Sequence, residues 1–459
     1  MNVFLIYPGM AQGFGSFERG GDWINHGLGI ISAILKKEGH RVDYLDLRQL
    51  SGWPEVTQRI QETPFDAALI SLATVDFDAA VRIAQAVKTK SPALKVIVGG
   101  PHPTLMTDET AAVKEFDHIF TREAEVTLPG VIRDLGRAPR LIKGEMPTDL
   151  DALPFVDRSL SPKGESALWS QLPGPFFTIT GSRGCMYNCT FCQPAERLMF
   201  GMKIRRRSAG NIVSELESLR KDYGMKSFMI HDDCFTQFPA WAEEFCAAKK
   251  QRGLDIPFVC QSRADIICNN SGLMAKLADA GLKWVMIGFE SGSDRVLQYI
   301  RKGVTVEENL RAAKICREAG VKIFANYMFG LPTETEAEMR ETVRMIRAIR
   351  PDRCSPSVFT PAPGSHLYDE CRKEQLILVS NSSGYRRDAL IGGAKIKGVD
   401  YAAVQRMVFE SIYGPARGRM YHMIFRAGSR ALRVLYPGAA GPKSQVLRVL
   451  WLAGADDAA

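Results

Sequence analysis

Three cysteines fall within eight residues in the run Gly184-Cys185-Met186-Tyr187-Asn188-Cys189-Thr190-Phe191-Cys192, a C-x3-C-x2-C spacing. Three thiolates on one short loop can each take a different iron of a [4Fe-4S] cube and leave the fourth iron open to a small molecule. A structural zinc ion asks for a fourth Cys or His at a matching spacing, and no pair nearby supplies one. Cys185, Cys189 and Cys192 are therefore the candidate metal ligands. Further polar or glycine-rich groups recur downstream: Ile230-His231-Asp232-Asp233, Gly288-Phe289-Glu290-Ser291-Gly292, Gly330-Leu331-Pro332 and Thr360-Pro361-Ala362-Pro363-Gly364-Ser365. Each alone is ordinary, because an acidic pair after a strand often caps a helix and Gly/Pro punctuates any loop. Cys234, beside the acidic pair, reads as a buried thiol.

What gives these groups meaning is the set of elements that carries them. Strand patterns at 176–180, 227–230, 257–261, 284–289, 322–328 and 354–359 alternate with helical patterns, which predicts six parallel strands and an open, TIM-like (β/α)6 barrel over residues 175–379. The cysteine loop and the later groups then lie at strand ends on one face, the face where such barrels do chemistry. Ahead of the barrel, residues 1–140 show the same alternation, with strands expected at 3–7, 42–47, 67–72 and 96–98 and helices at 27–38 and 78–90. This reads as a Rossmann-like, flavodoxin-like α/β domain, with the turn Gly99-Gly100-Pro101-His102-Pro103 at a strand C-terminus where open sheets bind ligands. Residues 141–174, rich in Pro, Asp and Ser, read as a linker, and residues 380–459 as a helical C-terminal tail.

Composition narrows the class. A chain of 459 residues exceeds one hydrophobic core, and 46% hydrophobic with 24% charged residues is ordinary for a soluble protein. No apolar run reaches the roughly eighteen residues of a membrane span. The first strand lacks the basic n-region of a signal peptide, so a cytoplasmic location is expected, where ten cysteines do not form a disulfide framework. The net charge of +8 sits mostly at the end: from Asn381 onward twelve Lys and Arg stand against five acids, a net of +7. The stretches 420–436 and 446–452 mix Arg with Phe, Leu and Trp. They fit either peripheral contact with an anionic inner membrane surface or a helix that packs on the barrel with its arginines in water. Nucleic acid is not expected, since no recognition module accompanies the charge.

The cysteine loop and the ordered groups after it resemble the radical S-adenosylmethionine enzymes over the whole barrel region. The resemblance implies that the open iron binds S-adenosylmethionine and that Phe191 packs near the adenine. It further implies cofactor contacts from Glu290 and Ser291 at the ribose and from Gly330 and Pro332 at the adenine turn. Asp232 and Asp233 are implied to face the methionine amine or the substrate. In the first domain, the segments 27–30, 35–40, 71–74 and 98–104 resemble the cobalamin-binding domain of one subgroup, which contains methylases and anaerobic cyclases. Ser71 and Thr74 are candidate hydrogen-bond donors to the cobalamin nucleotide tail. Gly99 and Gly100 would let the backbone approach it, and His102 lies in the same turn. The wider cobalamin family has an Asp-x-His-x-x-Gly loop after the first strand, whereas here Pro8-Gly9-Met10-Ala11-Gln12-Gly13-Phe14 supplies no axial histidine. His26 and His102 read as ordinary loop histidines.

The implied cofactors are a [4Fe-4S] cluster, S-adenosylmethionine and cobalamin, with an electron donor such as flavodoxin or ferredoxin. The implied chemistry is a 5′-deoxyadenosyl radical that takes a hydrogen from the substrate, followed by transfer of a methyl group from methylcobalamin to that carbon of a small-molecule or lipid substrate. A second S-adenosylmethionine then remethylates the cobalt. Oxidative ring closure or rearrangement uses the same cofactors and the same motifs. A cobalamin or iron-sulfur binding module without catalysis is a third reading, opposed by the full set of barrel motifs. Methylthiolation is disfavoured because the first domain has no second cysteine trio.

Overall fold

The computed structural model describes residues 1–9, 23–165, 170–387 and 393–435, with side chains described up to residue 426. The first sheet is entirely parallel, in the order β2-β1-β3-β4-β5-β6. Its strands are β1 (Asn2–Tyr7), β2 (Arg41–Asp46), β3 (Ala67–Ser71), β4 (Lys95–Gly99), β5 (His118–Thr121) and β6 (Leu141–Lys143). Alternate residues feed two cores: Phe4, Ile6, Ala68, Ile70, Val96 and Val98 face one layer of helices, and Val3, Leu5, Ala67, Leu69 and Ile97 face the other. Burial on both faces is why these strands read as continuous apolar runs. The strand order reverses between β1 and β3, the topological switch point at whose C-terminal edge such sheets bind ligands.

Two strands escape the sequence pattern. The four residues of β5 are too few to show a period, and in β6 a single buried residue, Ile142, sits between exposed Leu141 and Lys143. The segment read as the start of a linker therefore extends the first sheet. The rest of that stretch is also tied down. Arg158 is buried and donates to Glu165 Oε1 at 3.0 Å and to the carbonyl of Thr178 at 2.6 Å.

The second sheet follows chain order, β7 (Phe176–Ile179), β10 (Ser227–Ile230), β11 (Phe258–Ser262), β12 (Leu282–Glu290), β13 (Lys322–Phe329) and β14 (Arg353–Val358), all parallel. It is the expected open half-barrel, each strand within two residues of its expected bounds. Phe177, Ile179, Phe228, Ile230, Val285 and Ile287 face the helices, while Phe176, Met229, Val259 and Trp284 pack together as a separate cluster. A two-stranded antiparallel ribbon, β8 (Ser182–Arg183) and β9 (Arg205–Arg206), brackets residues 184–204.

Two histidine readings change. His26 opens the helix His26–Lys37, is half-buried, and its Nε2 lies 2.8 Å from Thr178 Oγ1 on β7, so it joins the two domains. His102 lies in the short helix Pro101–Leu105, 1% exposed, with its ring centre 4.5 Å from that of Phe77 and tilted 39° to it. In the tail, the helix Tyr401–Tyr413 packs on the barrel, with Tyr327 Oη donating to Ser411 Oγ at 2.7 Å. The helix Pro415–Leu435 packs on that one through Phe409–Phe425 and Tyr413–Tyr421 contacts at 5.6 and 4.7 Å. The stretch 446–452 and residues 10–14 of the axial-ligand loop lie outside the described residues.

Candidate functional site

The cysteine loop is held from behind before it reaches the cavity. Asp232, at the end of β10, accepts from the Gly181 N–H and the Ser182 hydroxyl, each at 2.7 Å, and so fixes the turn that enters the loop. Gln237 grips the first cysteine from both sides, donating to the Gly184 carbonyl at 3.2 Å and accepting from the Met186 N–H at 3.3 Å. Beyond the second cysteine, the Thr190 N–H donates to the Ile300 carbonyl at 2.9 Å and the Cys192 N–H to the Cys189 carbonyl at 3.0 Å. A loop with its backbone bonds satisfied this way presents its side chains in a fixed arrangement.

That arrangement opens into a cavity of about 730 Å³, lined by Cys185, Cys189, Cys192, Phe191, Asp233 and Glu290 among others. All three cysteines are free thiols. Among the described residues, no three His, Cys, Asp or Glu side chains converge as a single-ion site. Thiols that share a cavity without meeting at one point suit a cluster, where each thiolate takes its own iron. Burial pushes the Cys185 and Cys192 thiols up, and for Cys192 the nearby Glu196 and Asp233 carboxyls push the same way. Cys234 also lines the cavity, and burial pushes its thiol up to about 12, so it is neutral.

The cavity carries both signs of charge. Asp233 faces Glu196, which follows the cysteines on the helix Ala195–Phe200. Burial and the Asp233 charge push Glu196 up to about 8, and burial also raises Asp233, so the pair holds a proton at neutral pH. Opposite signs come from Arg263, Lys302 and Arg387. The Arg263 guanidinium lies 3.5 Å from the centre of the Tyr187 ring, its Nη1 is 3.7 Å from Cys189 Sγ, and its Nε donates to Asp265 at 3.0 Å. Lys302 donates to Glu290 Oε1 at 2.8 Å. Glu290 sits where the β12–β13 register shifts, at φ 62, so the irregularity re-aims its side chain. Val408 and Ile412, from the tail, complete the wall.

The sequence-derived residues divide accordingly. Phe191, Asp233, Glu290 and the three cysteines meet in the cavity, whereas Asp232 is turned away to brace the loop. Ser291 is fully buried with its hydroxyl 3.2 Å from that of Thr342. Gly330, at φ 79, donates its N–H to Glu334 at 2.6 Å and packs near Val399 and Val404, and Pro332 is buried beside it. Neither lines the cavity. Arg263, Lys302, Glu196 and Tyr187 were missed. Arg263 directly follows the third barrel strand, so the rule that singled out the other strand ends would have found it.

In the first domain, Ser71, Thr74, Gly99, Gly100 and His102 gather at the C-terminal ends of β3 and β4. Ser71 Oγ accepts from Asn25 at 3.2 Å, and Thr74 Oγ1 is 3.4 Å from His102 Nδ1. Gly100 has φ 109, and a β-carbon there would stand 2.9 Å from the Leu72 carbonyl oxygen, so the tight turn needs glycine. His102 points into packing, and burial pulls it down to about 4.

Comparison with known proteins matches residues 179–346 to the radical SAM superfamily and residues 16–132 to the B12 binding domain. The chain is 27% identical over 380 residues to an uncharacterised methyltransferase of Pyrococcus horikoshii, covering 78% of this chain and 81% of that one. It is 25% identical over 395 residues to the anaerobic magnesium-protoporphyrin IX monomethyl ester cyclase of Rubrivivax gelatinosus, covering 81% of this chain and 70% of that one. Its fold is similar to that of the cobalamin-dependent S-adenosylmethionine radical enzyme OxsB, with a TM-score of 0.71 at 16% identity over 98% of this chain and 71% of that one.

Proposed function

We propose that this chain, which belongs to the cobalamin-binding radical S-adenosylmethionine enzymes, transfers a methyl group to an unactivated carbon of a small-molecule or lipid substrate. The observation that carries the reading is a junction. The helix Pro101–Leu105, which follows Gly99-Gly100, packs against the helix Ala195–Phe200, which follows the cysteines. The ligand edge of one domain therefore adjoins the cysteine cavity of the other. In this reading residues 1–140, extended by β6, carry cobalamin, residues 175–379 form the radical barrel, residues 141–174 join them, and the helices Tyr401–Tyr413 and Pro415–Leu435 of the C-terminal region flank the barrel.

The donor set fits the groups. Binding of a cluster would displace thiol protons, and its cationic core would offset the carboxylate charge of the Asp233–Glu196 pair beside the loop. Asp233 and Glu196 suit the ammonium and sulfonium of S-adenosylmethionine, while Arg263 and Lys302 suit its carboxylate. Ser71 and Thr74, beside the Gly99-Gly100 turn at the sheet's C-terminal edge, offer hydroxyls that suit the cobalamin tail. When bound, the cluster and S-adenosylmethionine supply a 5′-deoxyadenosyl radical, and cobalamin carries the methyl group. The chain's own residues do the rest. Arg263 steadies negative charge on Cys189, the Asp233–Glu196 pair keeps a proton beside the loop, and Met286, Met328, Val408 and Ile412 keep water from the cavity wall.

The test is anaerobic reconstitution with iron, sulfide, hydroxocobalamin, a flavodoxin or ferredoxin donor and methyl-labelled S-adenosylmethionine. Labelled methylcobalamin together with 5′-deoxyadenosine supports methylation. The similarity to the cyclase favours a second reading, ring closure with the same cofactors. Deoxyadenosine formed while cobalamin stays unmethylated would select it.

Among the described residues no helix is long and apolar enough to cross a membrane. The helix Pro415–Leu435 holds five arginines and no acid, and leaves Met420, Met423 and Ile424 exposed at 44%, 65% and 47%. That composition supports peripheral contact with an anionic lipid surface. Flotation with anionic liposomes should fall when residues 415–459 are removed, and flotation unchanged by the deletion would refute the contact.

A further inference from the structure

The root of the cysteine loop is bonded to the first domain through buried charge. Residues 184–204 leave and rejoin the barrel at β8 and β9, where Arg183 pairs with Arg205 across the ribbon. Both arginines reach Glu123, four residues before Thr127 and just beyond β5. Arg183 Nη1 donates to Glu123 Oε1 at 2.7 Å, and Arg205 donates to Oε2 at 2.6 Å and to Oε1 at 3.0 Å. Arg183 Nη2 donates to Glu125 at 2.8 Å, and the four side chains are at most 14% exposed. Arg205 also donates to the carbonyl of Phe200, the last residue of the helix behind the cysteines, at 3.1 Å.

Glu123 is equally well tied on its own side. The N–H of Arg122, at φ 65, donates to Thr104 Oγ1 at 2.8 Å, and Thr104 in turn donates to the Gly100 carbonyl at 3.1 Å. The Glu123 carbonyl lies so close to Gly144 that a β-carbon there would stand 1.9 Å from its oxygen. A continuous series of bonds thus runs from the Gly100 turn to the arginines that flank the cysteine loop. Buried ion pairs give little net stability compared with apolar packing, but paired, bidentate guanidinium–carboxylate geometry fixes orientation.

We propose that Glu123 is a positioning residue: by clamping Arg183 and Arg205 it sets the cysteine loop at a fixed distance and angle from the ligand edge of the first domain. The inference rests on the cobalamin-radical reading, because its consequence is coupling between what is bound at the two edges. A displacement of about 1 Å between reacting groups costs on the order of a hundredfold in rate.

The experiment uses full-length holoenzyme with Glu123→Gln, Glu123→Asp and Glu125→Gln. Glutamine removes the charge, aspartate is too short to span both arginines, and the Glu125 change removes one outer bond. Two quantities are read: methyl label in product per 5′-deoxyadenosine, and the relaxation enhancement of the cob(II)alamin electron spin by the reduced cluster, which reports their separation. In both Glu123 variants the deoxyadenosine rate stays within about threefold of wild type while label per deoxyadenosine falls at least about tenfold and the relaxation enhancement drops. Glu125→Gln stays near wild type. Wild-type coupling and relaxation in the Glu123 variants would overturn the inference, as would equal loss of deoxyadenosine and label together with the cluster. If Glu123→Gln does not assemble, Glu123→Asp decides on the same readouts. If the wild type transfers no label, the methyl-transfer reading fails, and the spin measurement still decides the role of Glu123.

Discussion

Replacing Lys302 with methionine removes the cation beside Glu290 while keeping most of the side-chain volume. The two side chains are 7% and 10% exposed and 2.8 Å apart, on the cavity wall. Breaking a buried pair from one side costs about 3–5 kcal/mol, and the cavity's access to solvent places this pair near 3. With a urea dependence of about 2 kcal/mol per molar, the midpoint of the barrel's unfolding should fall by roughly 1.5 M. Without its partner the Glu290 carboxyl stands alone on the cavity wall, which is the source of the deficit. The double variant Lys302→Met with Glu290→Gln should regain most of the loss, because neither charge is then stranded. Gly288→Ala tests the same pair sterically: its β-carbon would stand 2.2 Å from Glu290 Oε1 and 2.9 Å from Lys302 Nζ, forcing them apart at a cost of about 1–3 kcal/mol. Urea titrations of the cofactor-free protein at pH 8 are the assay. A Lys302→Met midpoint within about 0.2 M of wild type at pH 8, or no recovery in the double variant, would refute the argument and mean that the pair is hydrated.

Alanine at Cys185, Cys189 or Cys192 should each abolish bound iron and sulfide and the charge-transfer absorption, with the thermal midpoint of the cofactor-free protein changed by no more than about 3 °C; retention of a full iron complement in any one would remove that cysteine from the ligand set. His26 is held neutral, far below its ordinary value, by burial and then by Arg158, so its contribution is present above about pH 6.5 and lost as pH falls. His26→Gln keeps a hydrogen-bonding group near Thr178 without titrating. Between pH 7 and pH 5 the wild type should lose up to about 2 kcal/mol relative to it, and parallel pH profiles would contradict the burial argument.

Much of this protein is legible in its residues because most barrel strands are built around buried apolar residues, such as Phe228-Met229-Ile230, and the chemical groups follow the strand ends. The cysteine loop needs no tertiary context, since its ligands lie on one turn. Illegible features depend on distant partners. Glu290 and Ser291 are neighbours in one motif, yet a register shift turns the first into the cavity and leaves the second bonded to Thr342. Asp232 and Asp233 are divided in the same way by the turn at Gly181, which captures Asp232. Nothing near Glu123 in sequence announces Arg183 or Arg205, sixty and eighty-two residues away. His26 reads as a loop histidine because Thr178, its partner, belongs to the other domain.

The most direct test of the central claim is the fate of S-adenosylmethionine carrying a fully deuterated methyl group during multiple turnovers. Methylation predicts one 5′-deoxyadenosine and one S-adenosylhomocysteine per product, with the product heavier by an intact labelled methyl. Deoxyadenosine formed without S-adenosylhomocysteine, and a product carrying no label, would contradict it.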